Sequence, residues 1–210
     1  MNEIIETQNE TKFVNGIEYS EYPPPTSIIK ATELKWAKKL RDEGSIRLNS
    51  VSFYQVLEKP ELGDSNEGCG MLRLNGNPMV TGSTNEVFIW CSAMPDTSIE
   101  VLKSLNKTYD TIIRVSDVED FVSRIMTALK ELKYTFLPHL GQVIYSRGEE
   151  VSKKTLNDQK WHYNIFQKSS NFVHQNEYRM SFTNISFNRI GKEYLDINIG
   201  NCNDIVQIET

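Results

Sequence analysis

Basic residues are in deficit. Lys and Arg number 23 against 28 Asp and Glu, a formal net charge of −5, so no global positive field gathers nucleic acid and any such contact needs a local patch. Cysteine and histidine are scarce. Cys69, Cys91 and Cys202 form no CxxC pair, and His139, His162 and His174 are scattered, which argues against structural zinc and makes reduced thiols the expectation. No apolar run approaches the roughly 18 residues of a membrane span, and Met1 to Phe13 lack the basic and apolar regions of a signal peptide. A cytoplasmic protein with no membrane partner is expected. The P-loop, dinucleotide-fold, nucleophile-elbow, HExxH and EF-hand signatures are all missing, as are internal repeats.

What is present suits one ordinary domain. Over 210 residues, 39% are hydrophobic and 24% charged, near globular averages. Residues 1–28, which contain Tyr22-Pro23-Pro24-Pro25, read as an extended N-terminal arm, of which residues 1–22 are expected to be dispensable for core folding. Residues 29–210 read as a single α+β domain. Thr32 is expected to cap a helix over 33–43 that Gly44 stops. A strand at 45–50 follows, with Ile46 and Leu48 alternating against Arg47 and Asn49. Residues 51–82 read as a long Gly, Asn and acid-rich loop. Strands are expected at 87–92 and 111–115. Helix 117–133 is the strongest element, its Val118, Phe121, Val122, Ile125, Met126, Leu129 and Leu132 falling on one stripe. After Gln142–Tyr145 and a charged loop at 147–160, strands are expected near 177–187, 194–199 and 204–208. This order predicts a mostly antiparallel twisted sheet with one main helix and a shorter N-terminal one.

Two polar constellations could carry chemistry. In Gln175-Asn176-Glu177-Tyr178-Arg179, a strand places Glu177 and Arg179 on one face with Gln175 at its entry. They are either a solvated polar face, whose loss scarcely alters stability, or a carboxylate, Arg and amide that hold ribose hydroxyls or a phosphate. The second comprises Arg47, Asn49, Ser50, Tyr54, Glu58, Asp64 and Glu67. Arg47 is either solvated or a phosphate clamp, and Gly63–Gly68 is a turn in which Asp and Asn bond their own backbone or a weak metal loop. Cys91, within an apolar strand, reads as core.

Taken in order, Gly44–Leu48, Phe53-Tyr54, Glu58, Gly63-Asp64, Glu67-Gly68, Phe88–Ser92, Tyr109-Asp110, Val143–Tyr145 and His174–Arg179 resemble an uncharacterised family of small bacterial and phage proteins. More remotely, Arg47 on a first strand, Ser92 on a second and Gln175-Asn176-Glu177 entering a later one resemble ADP-ribosyltransferase-like folds. That resemblance implies an NAD- or nucleotide-handling effector, such as an ADP-ribosyltransferase-like or NAD-cleaving toxin or phage-conflict protein. NAD would be its substrate and a protein or nucleic acid its target. It implies that Glu177, with Gln175, is catalytic, stabilising an oxocarbenium-like state as nicotinamide leaves, while Arg47, Ser50, Tyr54, Ser92 and Arg179 bind the nucleotide. Two alternatives stand beside it: a non-catalytic nucleotide- or protein-binding module, and a Mg²⁺-dependent nuclease using Asp64, Glu67 and Glu177.

Overall fold

The structure, a computed structural model, describes residues 12–56, 65–82, 86–147 and 164–209. Their architecture is mixed α+β around a mostly antiparallel sheet. Its long path runs through β1 (Lys12–Val14), β2 (Ile17–Tyr19), β9 (Phe136–Gln142), β10 (Glu177–Asn184), β7 (Val87–Ala93), β3 (Ile28–Thr32), β8 (Thr111–Val115) and β12 (Val206–Glu209). The β2–β9 pair is parallel. A side branch of β4 (Ser45–Ser50) and β11 (Tyr194–Asn198) joins β7 through β4.

That branch makes the sheet fork. Along the edge of β7 away from β10, β4 pairs at Phe88 and Ile89, and β3 meets it only at Ala93. Between them, among the described residues, no strand pairs Trp90, Cys91 or Ser92 on that side.

One face of the sheet is covered by α4 (Val118–Lys130), where the predicted stripe buries Val118, Phe121, Val122, Ile125 and Leu129. The Phe121 ring lies 5.0 Å from that of Trp90. Asp117 caps the helix by accepting from Asp120 N–H at 2.9 Å. On the other face α3 (Ile99–Ser104) brings Leu102 onto Ile29, Ala31, Ala93 and Ile112. Among the described residues no helix is long and apolar enough to cross a membrane.

Several expectations need correction. Of the expected arm, residues 12–19 form a β hairpin on the sheet edge and bury Ile17 and Tyr19 in the main core; residues 1–11 lie outside the described residues. Apolar side chains at alternate positions of Ile17-Glu18-Tyr19 outweigh the extended bias of the prolines. The helix α1 (Leu34–Lys38) continues as one π-helical turn over Lys39–Glu43. Glu33, not Thr32, stands at its N-cap, and Leu34 N–H donates to the Asp110 carboxylate at 2.8 Å. Gly44 stops it at φ 70°, where a Cβ would collide with the Gly200 carbonyl, so only glycine fits. The span read as loop contains α2 (Val51–Gln55) and a separate hairpin, β5 (Cys69–Leu74) with β6 (Asn77–Gly82). Asn75 and Gly76 turn it with φ 51° and 77°, the positive pair that a tight two-residue hairpin requires. Strand β9, absent from the expected elements, contains Pro138. That residue sits where β9 pairs β10 alone, since the β2 contact reaches only His139 and Leu140, and a missing N–H costs little there. Most of the charged loop, 148–160, lies outside the described residues.

Candidate functional site

Glu177 enters β10 from a 3₁₀ segment, Ser170–Gln175, through Asn176 at φ 41°. Asparagine tolerates that left-handed geometry. Its carbonyl accepts from Met94 N–H at 2.9 Å, and its side-chain oxygen accepts from Gln142 at 2.8 Å. The strand entry is thereby fixed against β7 and β9. In register, Glu177 stands opposite Ala93 and Arg179 opposite Cys91, so both face the α3 side of the sheet.

Neither is solvated. Glu177 is 4% exposed and Arg179 fully buried. Arg179 Nε donates to Glu177 Oε1 at 2.7 Å and Nη1 to Glu67 Oε1 at 2.6 Å, with a further bond to the Ile165 carbonyl. Lys168 Nζ lies 2.7 Å from Glu177 Oε2 and donates to Gln175 Oε1 at 2.8 Å. The result is a buried quartet of Glu67, Arg179, Glu177 and Lys168 with balanced charge. Burial alone raises the Glu177 pKa, but Arg179 and then Lys168 hold it below the usual carboxylate range. Burial likewise opposes the Arg179 cation, yet Glu177 and Glu67 push its pKa well above the ordinary value.

Beside the quartet a cavity of about 720 Å³ runs through the fork between β3 and β4. Lys168, Gln175 and Glu177 form one end of it, and Trp36, Phe53 and Tyr109 supply aromatic walls. Four basic side chains line it, Lys30, Lys39, Arg47 and Lys168, against three acidic ones, Glu33, Glu177 and Asp196. The local balance is therefore cationic in a chain of net charge −5. Burial, with Glu177 adding to it, pushes the lining thiol of Cys91 up to about 12, so it is protonated at neutral pH and is no nucleophile. Burial also raises the Tyr54 phenol well above its usual value.

The structure brings together some of the expected residues. Glu177, Gln175, Arg47, Tyr54 and Ser92 all line this cavity, and the β4–β7 register puts Arg47 on the same face as Glu177. Three expected roles do not fit the geometry. Arg179 is fully buried, enclosed by two carboxylates and a carbonyl, and is not among the residues that line the cavity. Ser50 belongs to the opposite face of β4, with Ile46 and Leu48, and caps α2 by accepting from Phe53 N–H at 3.1 Å. Ser92 Oγ donates to the Tyr178 carbonyl at 2.7 Å. Arg47 is at the rim but engaged, with Nε and Nη2 on the Asp196 carboxylate at 2.7 and 2.9 Å and its guanidinium 3.8 Å from the Tyr194 ring centre. Tyr54 keeps its place, its hydroxyl accepting from Asn49 at 3.2 Å.

Neither Lys30 nor Lys168 was among the expected site residues, and Glu67, which does lie in a turn, is buried against Arg179. Lys30 left a signal, a lone cation inside Ile28-Ile29-Lys30-Ala31; Lys168 left none. Among the described residues no group of three His, Cys, Asp or Glu is placed to hold a metal. Glu67 and Glu177 are both bound to Arg179, and Asp64 and Glu58 lie outside the described residues. No family model, curated protein or solved structure matches the chain.

Proposed function

We propose that the fork cavity binds a nucleotide of the NAD class with its ribose at Glu177, and that the chain cleaves the nicotinamide glycosidic bond in the manner of an ADP-ribosyltransferase. The observation that carries this reading is the joint lining of one nucleotide-sized cavity by a carboxylate, aromatic walls and an excess of cations, the groups a sugar, a base and a pyrophosphate require. The shared face of Arg47 on β4 and Glu177 on β10, both reached across β7, supports it further.

In this chemistry the C–N bond breaks with its electron pair leaving on the nicotinamide nitrogen. The ribose C1 becomes oxocarbenium-like, and water or a target nucleophile adds to it and loses a proton. Glu177 accepts hydrogen bonds from ribose hydroxyls with the lone pairs that Arg179 and Lys168 leave open, and its charge faces the developing cation. The test is incubation with NAD and measurement of released nicotinamide. Release is expected from the wild type, and a fall of about 10²-fold in Glu177→Gln.

One observation favours a second reading, a module that holds the nucleotide without chemistry. Both Glu177 oxygens are paired within a balanced quartet, which weakens the field a cationic transition state feels. Retained NAD binding with no nicotinamide release selects this second reading.

A further inference from the structure

We infer that Lys30, in the fork of the sheet, is the phosphate-binding residue of this cavity, in place of Arg47. The inference rests on the nucleotide reading above and names the group that meets the ligand's pyrophosphate.

The geometry begins with the backbone. Where β3 and β4 diverge, the Cys91 carbonyl has no strand partner on the open side of β7, and Lys30 Nζ donates to it at 2.5 Å. The ammonium also lies 5.2 Å from the centre of the Trp90 ring. A carbonyl and an indole face solvate a cation without neutralising it. Among the described residues no carboxylate lies within ion-pair distance of Lys30. The other candidates differ. Arg47 has a bidentate carboxylate, Lys168 is bound to Glu177, and Lys39 stands over the half-exposed Trp36 ring at the mouth. Lys30 is thus the inner cation of the cavity that has no carboxylate counter-charge among the described residues.

Its energetics point the same way. Desolvation lowers the Lys30 pKa, and with the Cys91 thiol protonated the charge of Glu177 offsets this only in part. An anion bound at the ammonium supplies the missing charge where water screens it least. An ammonium has three donors, of which the Cys91 carbonyl takes one and two remain for phosphate oxygens. A ligand with its ribose at Glu177 and its phosphates in the fork spans the cavity through the sheet.

The experiment titrates ADP-ribose and, separately, inorganic pyrophosphate into the full chain by calorimetry, using the wild type, Lys30→Met, Lys30→Arg and Lys39→Met. Thermal melts accompany each variant to verify folding. Wild-type binding of both probes is expected, with at least a tenfold loss in Lys30→Met, most affinity kept in Lys30→Arg, and a smaller loss in Lys39→Met. Unchanged ADP-ribose binding by a folded Lys30→Met, or an equal loss in Lys39→Met, overturns the assignment and leaves the nucleotide reading standing. A wild type that binds neither probe overturns both. A second measurement needs no variant: pyridoxal phosphate with borohydride should label Lys30, and pyrophosphate should protect it. Labelling confined to other lysines refutes the inference even if Lys30→Met fails to fold.

Discussion

Arg179 follows Glu177 by two residues on one strand, and its Nε donates to the Glu177 carboxylate at 2.7 Å. Period two alone puts the pair on a common face. What sets its character is the third partner, Glu67, brought 112 positions along the chain to the same guanidinium. With two carboxylates and a carbonyl around it, Arg179 ties the loop before β5 to the centre of the sheet.

Arg179→Met should therefore be among the most damaging substitutions in the chain. It leaves Glu67 and Glu177 buried with only Lys168 nearby, and removing one partner of a buried ion pair costs about 3–5 kcal/mol. Urea denaturation should show the midpoint falling accordingly; a loss below 1 kcal/mol would mean that the guanidinium is not buried as described.

Glu177→Gln should lower stability as well as activity, contrary to the reading of Glu177 as a solvated strand residue. Arg179 and Lys168 lose their shared counter-charge, at a cost of about 3 kcal/mol, so nicotinamide release is best compared at low temperature, where both proteins are folded. If the variant melts with the wild type yet loses release, the carboxylate serves chemistry alone and the quartet contributes little to the fold.

Acid should destabilise the protein in two stages. His139 is 7% exposed and desolvation lowers its pKa from 6.5 to about 4. The folded state thus binds fewer protons than the unfolded one between those values, and stability falls as pH drops through that window, by at most about 3 kcal/mol. Glu177, whose pKa is also depressed in the fold, contributes stability that is present above about 4.5 and is lost at lower pH. Unfolding free energies of His139→Gln measured from pH 7 to 4 should be nearly flat across the first stage; a slope matching the wild type would assign it to another group.

Phe121→Ala should cost about 3–5 kcal/mol. The ring is fully buried and packs against Trp90 at the centre of the main core, so hydrogen exchange should find α4 among the best-protected segments. Fast exchange there contradicts the packing.

The sequence was readable wherever one local period decides the structure. The α4 stripe and the alternation of β4 are uninterrupted, β7 and β8 are short apolar runs, and the limits expected for all four differ from the observed ones by a few residues at most. Strand β9 was hidden by Pro138 and Gly141, whose tolerance depends on which neighbour β9 has along its length. The Asn75-Gly76 turn signal was in plain view but lay in a stretch dominated by acids and glycines. For the site, the shared face of Glu177 and Arg179 followed from alternation, whereas its burial did not. Burial came from Glu67 and Lys168, both in irregular segments without periodicity, and the fork that admits Lys30 is a property of how three strands share one edge.

The distances along the chain across this site also govern when it comes into being. Arg47 meets Asp196 across 149 positions and Glu67 meets Arg179 across 112. Closing such loops costs entropy before any contact offsets it. A ribosome that has just released β7 has delivered Lys30, Arg47 and Glu67 but not Lys168, Gln175, Glu177 or Arg179. The nascent chain at that stage shows an unpaired β7 edge with these two cations and one carboxylate still in water, and the cavity is not yet closed. The cavity lining is thus completed late in synthesis, once β10 docks between β7 and β9 and β11 brings Asp196 to β4.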